Sequence, residues 1–258
     1  MRRKLILLTC LISITASNAF LYAQSKVIIN VPSAQTESAY IWENISSIGF
    51  FDRNGYKVSW PTHSKVEQMK QLARNGSLGF SYRDTLTQLM IDSIYNGIDY
   101  MKGFQQIAAD TATLAIAISR LDSLKQHWDF YTPTQYNVNL TLYGPGGSYN
   151  PQSGTILIQT YPNGGFKGDS NPTYTIIHEI VHIGIEETIV TRYKLSHTQK
   201  ERLVDIITKT LFADLLPNYQ LQSFGDSTID PFVANKIDIQ NLPNRMEQYK
   251  NPTEQNNL

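Results

Sequence analysis

Two histidines four residues apart, with a glutamate beside the first, are the residues of this chain best suited to catalysis: His178, Glu179 and His182. On a helix, positions i and i+4 lie one above the other on the same face, so both imidazoles can reach one metal ion. Glu179 is rotated by about 100° from His178, which places it beside the metal rather than on it. A general base for a zinc-bound water stands in that position. The HExxH pattern therefore predicts a catalytic zinc site.

The residues around the motif predict a buried helix. Residues 169–172 offer polar N-cap candidates followed by Pro172, which is a favourable helix start. Isoleucine and valine occupy most positions from Ile176 to Ile185 outside the motif, and a helix that is apolar nearly all round is a buried one. Histidines and a glutamate inside such a helix need polar partners, which a metal ion with its water would provide.

A hydrolytic zinc site takes three protein ligands and leaves one position open for water. The candidates for the third ligand are Glu186 or Glu187, His197 and Glu201. Glu186 continues the series from His178, but eight residues of straight helix rise about 12 Å, which is too far for one ion. It could bind only if the helix breaks at Gly184.

The other two candidates belong to the next predicted helix. Ser196 and Gln199 form a capping-box pattern that places His197 in its first turn. Glu201 lies on the margin of the apolar face of that helix, with Asp205 one turn further on. A side chain on that margin can face a cleft shared with the metal helix, so all three candidates stay open on spacing alone.

The HExxH motif, eighteen intervening residues and then an ExxxD motif resemble the arrangement in gluzincin metallopeptidases, the thermolysin-like enzymes and their relatives. The resemblance covers residues 178–205. It implies that His178, His182 and Glu201 bind zinc and that Glu179 is the general base. It also implies that Asp205 orients a histidine ligand. The Asn-Glu context common around the third ligand in those families is absent here.

The motif and the resemblance together predict a secreted zinc-dependent metallopeptidase, with a protein or peptide as substrate. Tyr193 resembles in position a transition-state tyrosine of thermolysin-like enzymes, and His197 is a rival donor if it is not a ligand. Peptide stems of cell-wall polymers are a further substrate class. The alternative is a secreted binding or adhesion protein whose HExxH holds a structural or vestigial metal, which four protein ligands would normally close off.

The amino terminus predicts export to a secreted or periplasmic location. Residues 1–23 combine a basic start, a short apolar core and a small residue before Gln24, as secretory signal peptides do. Cleavage would remove Cys10, the only cysteine, and three of the 22 basic residues but none of the 22 acidic ones. The resulting charge of about −3 gives no indication of nucleic acid as a partner. No other stretch approaches the roughly 18 apolar residues of a membrane span.

The expected fold class is α+β and zincin-like, with a small mixed sheet, an active-site helix and a helical C-terminal part. We expect one zinc peptidase domain over residues 24–247. Its helical N-terminal part spans about 62–128 and its metal-site core about 133–217. A flexible tail is expected over residues 248–258, where polar residues dominate.

The predicted elements follow from periodicity and turn residues. They comprise strands at residues 26–31, 136–143 and 155–160, a hairpin at 50–58 with Asn54-Gly55 as its turn, and helices at 64–73, 82–107 and 111–128. Residues 144–150 are rich in glycine and predict a mobile hairpin turn or, alternatively, a flap over the cleft. Residues 155–160 are the expected edge strand for binding a substrate backbone. The oligomeric state stays open.

Overall fold

The computed structural model describes residues 26–168 and 171–251. The predicted signal peptide, residues 1–23, lies outside this part, as do residues 252–258. The protein belongs to the α+β class, with a small mixed sheet and many helices. No helix in the described ranges is long and apolar enough to cross a membrane.

Four strands form the sheet: β1 (Lys26–Asn30), β2 (Gln135–Thr141), β3 (Ser148–Asn150) and β4 (Thr155–Gln159). Their spatial order is β1-β2-β4-β3. The pairs β1/β2 and β2/β4 are parallel, and β3 pairs antiparallel with β4. Because parallel neighbours cannot be joined by a tight turn, the chain between β2 and β4 crosses over instead of forming the predicted hairpin.

The position of β4 corrects the expected edge strand. Residues 155–160 were expected at the edge, but β4 lies between β2 and β3, so β3 is the edge strand on this side of the sheet and β1 on the other. Residues 144–150, expected as a turn, contribute this strand. Among the described strands, none pairs with the outer side of β3.

Ten α-helices surround the sheet: α1 (Ala34–Ser46), α2 (Ile48–Arg53), α3 (Ser64–Arg74), α4 (Tyr82–Leu89), α5 (Met101–Ala109), α6 (Thr111–Asp122), α7 (Pro172–Ile185), α8 (His197–Leu211), α9 (Lys236–Gln240) and α10 (Leu242–Lys250), all within the described residues. The main core lies between the sheet, α5 to α8 and the C-terminal helices. A smaller core is formed by α1, α3 and α4.

Two predicted elements in the N-terminal half were wrong. The first part of the predicted hairpin at 50–58 belongs to helix α2, which Asn54-Gly55 ends with Gly55 at a φ of +70°, and residues 56–58 form no strand. A glycine in the left-handed region serves a helix end as well as a hairpin turn, so the dipeptide alone did not distinguish them. The helix predicted over 82–107 is broken, because Asn96 caps a new start through its side chain and Ile98 N.

Helix α7 carries the motif and lies against β3, β4, α6 and α8. Its predicted start is confirmed, since the Asn171 side chain accepts a hydrogen bond from Thr173 N and Pro172 stands in the first turn. A π-helical turn, Glu186–Thr191, follows its last residue. The capping box predicted for α8, between Ser196 and Gln199, is also confirmed.

The predicted tail begins too early. Residues 248–250 complete helix α10, and the Tyr249 hydroxyl accepts a hydrogen bond of 2.7 Å from Gln199 Nε2. This polar segment is therefore held against α8, because its tyrosine finds a partner that lies 50 residues away in the chain.

Candidate metal centre

Helices α7 and α8 bring three buried side chains to one point: His178, His182 and Glu201. The two histidine Nε2 atoms lie 3.0 Å apart. Glu201 Oε2 lies 3.2 Å from His182 Nε2 and 3.4 Å from His178 Nε2. Among the described residues, this is the group of histidine and carboxylate side chains that could hold a metal ion.

His178 is oriented from behind by Tyr219 and Asp205. The Tyr219 hydroxyl donates to Asp205 Oδ1 at 2.7 Å, because an ionised carboxylate can only accept. The same hydroxyl oxygen lies 2.7 Å from His178 Nδ1, which must then be the donor. This relay keeps the proton on Nδ1 and directs Nε2 of His178 into the group.

His182 is held differently. Its ring is stacked on Tyr149 of strand β3, with centroids 4.6 Å apart and an interplanar angle of 8°. The Tyr149 hydroxyl donates to Glu186 Oε2 at 2.6 Å and accepts from Lys200 Nζ at 2.9 Å. In the described part of the chain, His182 Nδ1 is buried without a hydrogen-bond partner. The ring of His182 is therefore oriented by stacking on Tyr149, whereas the ring of His178 is oriented by a hydrogen bond.

The electrostatics of the group favour a cation at its centre. Burial opposes a charge on His178, yet the carboxylates of Asp205 and Glu201, each 3.4 Å from its ring nitrogens, raise its pKa to about 9. Burial lowers the pKa of His182 to about 4. Burial also opposes ionisation of Glu201, but its hydrogen bonds to the two histidines hold its pKa well below its usual range. A field that stabilises an imidazolium between carboxylates would also stabilise a metal cation.

Glu179 lies next to the group and lines the same cleft. Its side chain is buried, and burial raises its pKa to about 7. The glycine-rich segment before β3 covers it closely, since a Cβ on Gly147 would stand 3.2 Å from Glu179 Oε1. A side chain at position 147 would thus crowd the carboxylate.

An open cleft of about 1090 Å³ leads to these side chains. Residues 145–149 and residues 219–222 both line it. Lys200 lies in the cleft wall with its ammonium 4.0 Å from Glu201 Oε1. The group of three is therefore buried in the protein but reachable from solvent on one side.

The other candidate ligands, Glu186, Glu187 and His197, line the cleft but lie outside the group. Glu186 is hydrogen-bonded to Tyr149, and Glu187 is exposed. The His197 side chain is 63% exposed, and its Nδ1 lies 3.5 Å from Glu201 Oε1. Tyr193 is not brought to the cleft: its hydroxyl donates to the backbone oxygen of Pro243 at 2.9 Å.

Sequence reasoning missed three residues of the site: Tyr149, Tyr219 and Gln222. Gln222 donates its backbone N–H to Asp205 Oδ2 at 2.6 Å, and its side-chain amide nitrogen lies 3.3 Å from His178 Nε2. Tyr219 and Gln222 also lie beyond residue 217, where the metal-site core was expected to end. Tyr219 and Gln222 lie in a loop and Tyr149 in a strand of three residues, and neither is long enough in regular structure for a periodic pattern to indicate which side chain turns inwards.

Protein-family models, curated proteins and solved structures were compared with this chain, and none matches it. The likeness to gluzincins therefore stays a resemblance carried by the motif residues.

Proposed function

We propose that this chain is a zinc-dependent metallopeptidase with a zincin-like active site. The single observation that carries the proposal is the convergence of His178, His182 and Glu201 at the base of an open cleft, with Glu179 beside them. The small mixed sheet, with edge strand β3 beside the metal helix, supports the zincin-like arrangement.

The donor set fits zinc. Ligand atoms of tetrahedral zinc, bound at about 2.0–2.1 Å each, stand about 3.3 Å apart. The three separations here are 3.0, 3.2 and 3.4 Å. Two imidazoles and one carboxylate are also a ligand set of catalytic zinc sites. The described residues supply three ligands, and all three line the open cleft. This leaves the fourth coordination position of the metal to a molecule from the cleft, which favours a catalytic site over a closed structural one.

When bound, zinc would supply a Lewis acid that lowers the pKa of a water ligand towards 7. The side chains His178, His182 and Glu201 would hold it, and Tyr219 with Asp205 keeps His178 in the required tautomer. Glu179 accepts the proton of the attacking water on its carboxylate and passes it to the leaving amine. The backbone of β3, unpaired on its outer side among the described strands, would align the peptide by adding it as a further strand.

Residues 1–23 support export of this enzyme to the periplasm or the medium. A zinc peptidase with no cysteine after residue 10 would be compatible with an oxidising compartment, because it has no thiol to oxidise.

Glu179→Gln tests the proposal. The variant should retain zinc and fold, and lose about 10² to 10⁴ in the rate of casein hydrolysis, because an amide cannot accept the proton. Zinc content is measured by elemental analysis, and Glu43→Gln, an exposed glutamate of α1, is the matched control. Undiminished hydrolysis by Glu179→Gln would contradict the mechanism. Zinc binding by the wild type without hydrolysis of any peptide would favour a structural metal site instead.

A further inference from the structure

A second cavity, of about 560 Å³, opens beside the cleft at the C-terminal end of α7. Its walls are largely apolar and include Trp128, Phe130, Tyr131, Pro151 and Ile183. Charged side chains of Lys125, Asp129 and Glu187 also line it, and all three residues are exposed. A cavity of this kind suits a large apolar group.

The floor of the cavity is fixed by packing against α7. The Phe130 ring lies directly on Gly184, where a Cβ would come within 1.9 Å of the ring. Tyr131 N donates to Gly184 O at 3.0 Å, and Trp128 Nε1 donates to Ile239 O at 3.0 Å. Because each aromatic residue is anchored, the cavity is formed before any ligand arrives.

The cavity adjoins the cleft, since Pro151, Gln152 and Glu187 line both. Tyr149 stacks on His182, and Pro151 follows two residues later, at the turn after β3, which is at most about 7 Å of chain. Glu187 follows His182 by five residues, about 7.5 Å along a helix. A peptide extended along β3 at about 3.3 Å per residue would reach the cavity two or three residues from the metal centre.

We propose that this cavity binds an aromatic or branched aliphatic side chain of the peptide substrate, two or three residues from the scissile bond. The proposal rests on the peptidase function proposed above and adds a specificity to it. An acidic or basic side chain would lose its hydration against the apolar walls, so the cavity selects against charge.

Cleavage of a proteome-derived peptide library by the zinc-loaded protein tests this. Phe, Tyr, Trp, Leu and Ile should be enriched two or three residues from the cut, on one side of it, by about tenfold over Asp and Lys. Gln152→Trp places an indole at the mouth of the cavity and should abolish the enrichment. Gln71→Trp, the same change at an exposed position of α3, should keep it.

A binding experiment gives a second measurement that does not depend on turnover. Zinc-loaded Glu179→Gln protein should bind the best library peptide about tenfold more tightly than the same peptide with glycine in place of the apolar residue. Adding Gln152→Trp to this protein should remove the difference. Cleavage without enrichment, or enrichment that persists in Gln152→Trp, overturns the specificity and leaves the peptidase function standing. No cleavage by the wild type overturns both.

Discussion

At the scale of single residues, the two histidines of the centre are oriented by different kinds of contact. His178 is fixed by a hydrogen-bonded relay through Tyr219 to Asp205, whereas His182 is stacked on Tyr149. A relay specifies which nitrogen carries the proton, and a stack specifies only the plane of the ring. The relay therefore has the larger influence on the chemical state of a metal ligand.

Glu201 should be the carboxylate that binds zinc. Glu201→Ala removes one of three ligand atoms, so we expect zinc affinity to fall by more than the about 10- to 100-fold typical of residues behind the ligands. Glu186→Ala should leave affinity nearly unchanged, because Glu186 is hydrogen-bonded to Tyr149 and lies outside the group. Competition with a chelator measures both. A larger loss for Glu186→Ala would defeat the gluzincin-like ligand set.

Asp205→Asn should weaken zinc binding by about 10- to 100-fold without abolishing it. Asp205 accepts from the Tyr219 hydroxyl on Oδ1 and from Gln222 N on Oδ2, and an amide has only one oxygen for these two donors. Asp230→Asn is the control, since Asp230 pairs with Arg202, a residue of the same helix as Asp205. Equal affinities of the two variants would show that the relay does not support the metal ligand.

At the scale of elements, α7 fits its surroundings through one small residue. Gly184 lets the Phe130 ring pack against the helix backbone, and the chain then turns into the π-helical Glu186–Thr191. A π-helical turn widens the helix and often occurs at functional sites. Together these features place the side chains after His182 along the cleft and the neighbouring cavity.

Gly184→Ala should lower the free energy of unfolding by about 1–3 kcal/mol, because the added methyl overpacks a site already filled by Phe130. An alanine in a helix ordinarily stabilises it relative to glycine, so a loss of stability in Gly184→Ala would be diagnostic of the contact with Phe130. Gly49→Ala in α2, where a Cβ meets only ordinary contacts, should be neutral or stabilising. Urea unfolding curves give both free energies. A Gly184→Ala variant more stable than the wild type would show that the Phe130 ring moves aside for the methyl group at little cost.

At the scale of the whole molecule, a buried carboxylate joins the two cores. Glu37 of α1 lies between them, and its Oε1 accepts hydrogen bonds from the Tyr100 hydroxyl, Thr141 Oγ1 and Leu142 N at 3.0, 2.9 and 2.9 Å. The helical N-terminal layer is thereby tied to the end of β2 and to the chain that leads into the cleft wall.

Glu37→Gln should change how stability depends on pH. Burial raises the pKa of Glu37, although hydrogen bonds from Leu142, Thr141 and Tyr100 oppose the rise. The native state thus holds this proton more tightly than the unfolded state, so stability from Glu37 is complete at low pH and is lost as pH rises through the raised pKa. Glutamine does not ionise and so has no such loss. The free energy of unfolding of the variant should therefore rise relative to that of the wild type between about pH 4 and about pH 8.

Unfolding free energies at the two pH values measure this gain, with Glu43→Gln as the control for the same change at an exposed position of α1. A relative loss of stability in Glu37→Gln as pH rises would contradict the assignment. It would mean that the ionised carboxylate is the better acceptor in the native protein.

The local features of the centre were predictable from the sequence alone. His178 and His182 share a helix face because four residues make about one turn, and the capping box that starts the helix of Glu201 is visible in the sequence. That Glu201, and not Glu186, Glu187 or His197, joins the two histidines depended on the packing of α7 against α8. Helix starts and i, i+4 pairs depend on neighbours in the chain, so their physics is present in a short window of sequence.

What only the tertiary structure decided lies in the segments between these helices. Tyr149, Tyr219 and Gln222 enter the site from segments whose paths depend on packing, and β4 became an interior strand by pairing with β2 in parallel. Tyr193, placed by spacing alone, instead donates to the carbonyl of Pro243. Such contacts depend on which of several residues, far apart in the chain, can bury most surface and satisfy most hydrogen bonds together. A periodic pattern reports only the local structure of a segment, so it does not predict these contacts.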